Sequence, residues 1–228
     1  MTNTQTKIKS TKDIENQYIK VLVHGPSGSG KTRLCGTTGG KALIASAEAG
    51  LLSLRDKDVD FWEVSNINDL RDVYMFCLQD TKYDWICIDS ISEIAEVVLS
   101  DEKKKSKDAR KAYMEMGDIM HEMIRCFRDL PKNIYISSKQ DKIKDDVSGQ
   151  VFFGPSTPGQ KTAASLPYFF DLVCAIHTWK HEDGTMKCVL QTQRDNQYEG
   201  KDRSGCLDFT EEPNLSAIYA KIMKKELN

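Results

Sequence analysis

The sequence predicts an α/β fold whose mostly parallel central sheet is extended by an antiparallel hairpin near the C-terminus. Three observations predict it. Short apolar runs alternate with helical periodicity through the first two thirds of the chain, the pattern of strand–helix–strand crossovers. The first strong run, Ile19–Val23, leads straight into a glycine-rich turn, Gly25-Pro-Ser-Gly-Ser-Gly-Lys-Thr32. Later, Leu172–Thr178 and Met186–Thr192 flank Glu182-Asp-Gly184, and a DG pair between two apolar runs is a hairpin signal.

The elements follow in order. Residues 1–17, rich in Thr, Lys, Asn and Gln, predict a flexible tail and leave 18–228 as one domain. After the glycine-rich turn and its helix, Ala42–Ala45 is a second strand and Phe61–Val64 a weaker one. Leu70, Val73, Tyr74 and Cys77 recur at helical spacing. Trp85–Ile88 is a compact apolar run ending at Asp89, as a strand buried on both faces would be. Tyr113, Met116, Met120, Met123, Ile124, Phe127 and Leu130 form one helical stripe, which Pro131 ends. The Met stripe, with Met114, reads as core packing. Ile134–Ser138 is the next strand. From Lys142 to Pro158 the texture of Lys, Asp, Gly, Ser and Pro predicts a long loop. Leu215, Ile218, Tyr219 and Ile222 mark a final helix.

Composition narrows the function classes. With 32 Lys plus Arg against 34 Asp plus Glu, the net charge of −2 excludes a grip on nucleic acid by bulk charge and leaves local basic patches. No run of about 18 apolar residues predicts a membrane span, and the polar N-terminus lacks a secretory apolar region. Seven singly spaced cysteines without a CxxC pair read as reduced thiols, so a cytoplasmic protein is expected and a zinc ribbon is not. His177 and His181 straddle a strand end with no cysteine pair nearby and read as structural.

Gly25, Pro26, Ser27, Gly28, Ser29, Gly30, Lys31 and Thr32 match G-x-x-x-x-G-K-[ST] between a strand and a helix, the setting of a phosphate-binding loop, or P-loop. Glycines let backbone N–H groups turn toward phosphate oxygens. The helix that follows offers its positive N-terminus to the same anion, and Arg33 on its first turn is counted with the loop among the nucleotide-binding residues. Lys31 can reach the β- and γ-phosphates of a bound nucleotide, and the Thr32 hydroxyl can ligate Mg²⁺. Asp89 at the next strand end is the natural second Mg²⁺ group; its other reading is a helix N-cap. Ser138-Lys-Gln-Asp141 lacks the Asn or Thr of a guanine-reading NKxD motif, and no LSGGQ signature of transporter ATPases is present. A small-molecule kinase and a non-hydrolysing nucleotide-gated module stay open on the residues alone. So does the choice between Glu48 and Glu93 as the carboxylate facing the attacking water.

Several segments together resemble the RecA-like recombinase core, and most nearly the small phage-encoded Sak-type single-strand annealing ATPases. They are Ala42-Leu-Ile-Ala-Ser-Ala-Glu48, Ile86-Cys-Ile-Asp89-Ser, Ile134-Tyr-Ile-Ser-Ser-Lys-Gln140, Phe169-Phe-Asp-Leu-Val-Cys-Ala-Ile176 and Thr192-Gln-Arg-Asp-Asn-Gln-Tyr-Glu-Gly-Lys-Asp-Arg-Ser-Gly205. The resemblance covers roughly 18–225. It implies a RecA-like ATPase that uses ATP and Mg²⁺ to bind single-stranded DNA and promote annealing or homologous recombination, alongside a single-strand binding protein. It favours Glu48 as the catalytic carboxylate and Gln140 as a γ-phosphate sensor; a surface glutamine at a strand terminus is the other reading of Gln140. Lys201 and Arg203 would reach a neighbour's γ-phosphate in a homo-oligomer with ATP at its interfaces; a solvated turn is their other reading. Lys103, Lys104, Lys105, Lys107, Arg110 and Lys111 fall where relatives place a first DNA loop. Lys142 and Lys144 with Phe152 and Phe153 form a second, basic–aromatic one, a combination suited to sequence-tolerant single-strand binding. Their plainer readings are a solvated charge run and ring packing beneath a loop.

Overall fold

The computed structural model describes residues 18–48, 50–144, 149–180 and 184–225, with no side-chain statement for 179, 224 and 225. The predicted tail, His181 and the Glu182-Asp183 half of the hairpin turn lie outside the described residues.

The sheet is built from runs buried on both faces. Strand β1 (Lys20–His24) is followed by the short helix α1 (Lys31–Leu34), then β2 (Ala42–Ser46) and β3 (Asp60–Glu63). Helix α2 (Ile67–Gln79) leads to β4 (Trp85–Asp89), and the helices α3 (Ile91–Lys105) and α4 (Ala109–Arg128) lead to β5 (Asn133–Lys144). After these come β6 (Val151–Ser156), α5 (Gln160–Ser165), β7 (Leu172–Lys180) and β8 (Met186–Gln191). The last elements are β9 (Lys201–Asp202), β10 (Thr210–Glu211) and α6 (Leu215–Lys225). The strand order is β10-β8-β7-β1-β5-β4-β2-β3, with β6 on β5 and β9 on β7. Neighbours from β7 through β1, β5, β4 and β2 to β3 pair in parallel. The β7–β8, β8–β10, β5–β6 and β7–β9 pairs are antiparallel. The parallel sheet with a late antiparallel extension is as the sequence predicts.

Alternation along each strand feeds two cores. Leu22, Ile86, Ile88, Ile134 and Ile136 meet α2, α3 and α4 on one face, including Met116, Met120 and Met123. Met114 departs from the expected stripe and is exposed. Val21, Val23, Ile44, Cys87 and Tyr135 meet α1 and α6 on the other face. Strand β1 therefore sits in the middle of the sheet, and the turn that follows it opens at the sheet's C-terminal edge.

Two predicted irregular regions are regular. The loop expected from Lys142 to Pro158 is largely a β-hairpin: Lys142 pairs with Phe153, Ile143 with Phe152 and Lys144 with Val151. Its polar residues hid the alternation, because Ile143 is only half-buried while Lys142 and Lys144 face water. The basic run at Lys103–Lys105 is the last turn of α3 rather than a loop. Lysines suit a helix C-terminus, where the backbone dipole is negative, and Lys104 and Lys105 pair back to Asp101 and Glu102.

Candidate functional site

The turn between β1 and α1 is shaped by glycine where no other residue fits. A Cβ on Gly25 would lie 2.5 Å from Ile176 Cγ2 and 2.7 Å from the Ile176 carbonyl. Gly28 and Gly30 hold φ of 75° and 98°, the left-handed region that favours glycine. Nothing lies within 4 Å of the position a Gly28 Cβ would take, so the turn faces an open cradle. Lys31 curls over it, its Nζ donating to the carbonyls of Gly25 and Pro26 at 2.8 Å each. Burial lowers its pKa, while the carboxylates of Glu48 and Asp89 act in the opposite direction. The buried Ser29 hydroxyl has no hydrogen-bond partner among the described residues. Arg33 lies on the wall of the same cavity, donating to Asp56 and the Ser53 carbonyl.

Strands β2, β4 and β5 bring the polar chemistry to the same edge. Asp89, 2% exposed, accepts from Thr32 Oγ1 at 2.6 Å through one oxygen and from Ser137 Oγ through the other. The helix cap belongs to Ser90, whose hydroxyl accepts from the Glu93 N–H, so Asp89 is left to Thr32 and Ser137. Ser90 also donates to Glu48 Oε1 at 2.6 Å, and Ser46 Oγ holds the Glu48 carbonyl. Glu93, the rival carboxylate, is engaged with Lys139 at 2.9 Å, beside Glu96 at 2.7 Å. These groups enclose a cavity of about 570 Å³ lined by the P-loop, Glu48, Asp89, Lys139 and Gln140, a size that suits a small organic ligand. Gln140 lies 3.1 Å from the ring of His24, the last residue of β1.

A family model described as AAA domain (AAA_24) matches residues 17–204. The chain belongs to this family. No curated protein matches it. The AAA domain is a nucleotide-dependent ATPase module, and the cradle, Lys31 and the cavity fit that membership. The donor set also fits Mg²⁺, a hard cation that takes oxygen ligands and keeps several waters: it is a Thr hydroxyl beside a carboxylate. Among the described residues no group of three or more His, Cys, Asp and Glu could hold a metal unaided. An ion here would take its remaining ligands from phosphate and water.

The other predicted residues lie around this AAA domain at varying distances from the cavity. Lys201 pairs with Val173 three residues short of Ile176, and its Nζ donates to the Pro167 carbonyl; Arg203 faces Asp171 at 3.5 Å. Neither lines the cavity of its own chain. Lys103 lies 5.2 Å from the Tyr113 ring centroid, and Lys107, Arg110 and Lys111 are exposed at the α3–α4 turn. Phe152 is buried with the Arg194 guanidinium 4.3 Å from its ring centroid, and Phe153 stacks on Tyr198 at 5.7 Å. Both rings thus have partners within the fold. Sequence reasoning missed Ser137, Ser90, Lys139 and His24. Only Ser90 carried a local signal, as a serine directly after a strand-terminal Asp. No helix among the described residues is long and apolar enough to cross a membrane.

Proposed function

We propose that this AAA domain is a RecA-like Mg-ATPase that couples the state of its nucleotide to binding of single-stranded DNA, and so promotes annealing or homologous recombination. The observation that supports the reading is the course of β5. One strand touches Asp89 through Ser137, lines the cavity with Lys139 and Gln140, and continues to Lys142 and Lys144 on an exposed hairpin. A change at the γ-phosphate is then one strand away from a basic surface.

Hydrolysis needs little covalent help from the protein; positioning and charge stabilisation do most of the work. Lys31 exchanges its two carbonyl partners for phosphate oxygens. Thr32 and Asp89 would hold Mg²⁺, which neutralises developing charge on the phosphates. Glu48, oriented by Ser90, accepts a hydrogen bond from the attacking water and holds it in line. Lys142, Lys144 and the α3–α4 lysines neutralise the DNA backbone. In a homo-oligomer, Lys201 and Arg203 would be offered to the neighbour's γ-phosphate, and a single-strand binding protein would present the DNA.

ATP turnover and oligonucleotide anisotropy test this together. Single-stranded DNA should raise turnover, and Mg-ATP and single-stranded DNA should each tighten the other's binding by the same factor, because coupling of binding free energies is reciprocal. The double variant Lys142→Gln/Lys144→Gln should flatten the log K against log salt slope by about 1.4, at about 0.7 per lost phosphate contact. Turnover indifferent to DNA overturns the coupling, and phosphate delivered to a small acceptor would make the protein a kinase.

A further inference from the structure

His24 is fully buried at the C-terminal end of β1, directly before the P-loop. Its two ring nitrogens face different parts of the molecule. Nε2 lies 2.9 Å from the backbone carbonyl of Glu199, and Nδ1 lies 3.1 Å from the side-chain amide of Gln140. A carbonyl only accepts, so Nε2 carries a hydrogen. The ring is neutral: it is fully buried, both its nitrogens face uncharged groups, and burial pushes its pKa down to about 4, with the Lys31 ammonium acting in the same direction. A neutral ring with Nε2–H has a lone pair on Nδ1, which must be met by a donor. Oε1 is the Gln140 atom drawn toward Nδ1; rotating the amide by a half-turn places its NH₂ there and leaves the heavy-atom positions filled. Oε1 then faces away from His24, on a residue that lines the nucleotide cavity.

We propose that His24 is a positioning residue for ATP hydrolysis, holding the Gln140 amide so that its Oε1 is presented to the cavity as an acceptor for the attacking water. This rests on the hydrolysis reading above. An acceptor oxygen in the same cavity as Glu48 can fix the second hydrogen of that water, the orienting part a glutamine plays in other P-loop enzymes. The same ring also ties the cavity to the hairpin. The Glu199 N–H donates to the Phe153 carbonyl at 2.7 Å, and the Phe153 N–H donates to the Gln197 carbonyl at 2.6 Å.

The tautomer is read directly by long-range ¹H–¹⁵N correlation on the histidine-labelled full chain at neutral pH. The expected ring is protonated at Nε2 and bare at Nδ1; a proton on Nδ1, with or without one on Nε2, overturns the proposal. In turnover, His24→Phe should lower kcat about 10-fold while the KM for ATP stays within about two-fold. Gln140→Ala should add little on top, as coupled residues do. A His24→Phe variant with wild-type kcat overturns this inference alone. Wild-type turnover that survives Lys31→Ala overturns the hydrolysis reading, and this inference with it.

Discussion

Replacing Glu48 by Gln removes one charge while keeping the shape of the side chain. The Ser90 hydroxyl, 2.6 Å from Oε1, can still donate to the amide oxygen, so the loop should hold its place. Among the described residues the other carboxylate oxygen accepts no hydrogen bond, which leaves it to the attacking water. An amide NH₂ in that position cannot accept from water. General-base and positioning contributions of this kind are worth about 10²–10⁴ in rate, or roughly 3–5 kcal/mol at 1.36 kcal/mol per decade. The expected result is a kcat at least about 100-fold lower, with ATP affinity changed by less than about three-fold because the phosphate grip is untouched. Phosphate release under saturating Mg-ATP measures the first, and titration with a fluorescent nucleotide the second. Turnover at the wild-type rate would refute the role of Glu48. Glu93→Gln is the control: its carboxylate is held by Lys139 at 2.9 Å, so that variant should turn over normally, and a lost rate there would move the role to Glu93.

Lys31→Ala removes the cation that reaches across the P-loop carbonyls. Charged hydrogen bonds worth about 1.5–3 kcal/mol convert to a loss of roughly 10–150-fold in ATP affinity, read by calorimetry. Gly25→Ala forces a Cβ against the backbone of Ile176. Overpacking of about 1–3 kcal/mol should lower the melting temperature by about 2–10 °C, with nucleotide affinity falling too. Acid stability should carry the mark of His24. Its pKa falls from 6.5 when unfolded to about 4 when folded. The unfolded chain therefore binds the extra proton first, so the contribution is complete above pH 6.5 and lost as pH falls toward 4. The size is roughly 3 kcal/mol. His24→Phe should flatten that part of the denaturation profile, and an unchanged acid slope would count against the buried neutral ring.

The site was legible where chemistry is local in the chain. Gly25 to Thr32 is one contiguous signature, and Asp89 ends an apolar run whose length alone marks a buried strand. The rest depends on neighbours far apart in sequence. Ser137 matters because β5 lies beside β4, His24 because Gln140 is 116 residues away but one strand over. Nothing in an isolated histidine after Val23 announces either partner. The β5–β6 hairpin escaped notice because Lys139 to Lys144 is mostly polar, and an exposed two-stranded ribbon needs few apolar residues. The α3 lysines looked like a loop for the same reason: charge at a helix end and charge in a loop have the same composition.

The matched stretch stops at residue 204, but the second core does not. Leu215, Ile218 and Ile222 are buried there with Leu34 and Cys35, Tyr219 meets the Trp85 ring at 6.2 Å, and the Leu215 N–H is held by Thr37. The matched stretch and the packed core thus end at different places. A chain trimmed at the homology boundary would leave the underside of the phosphate-binding helix wet, and its grip on nucleotide would go with it.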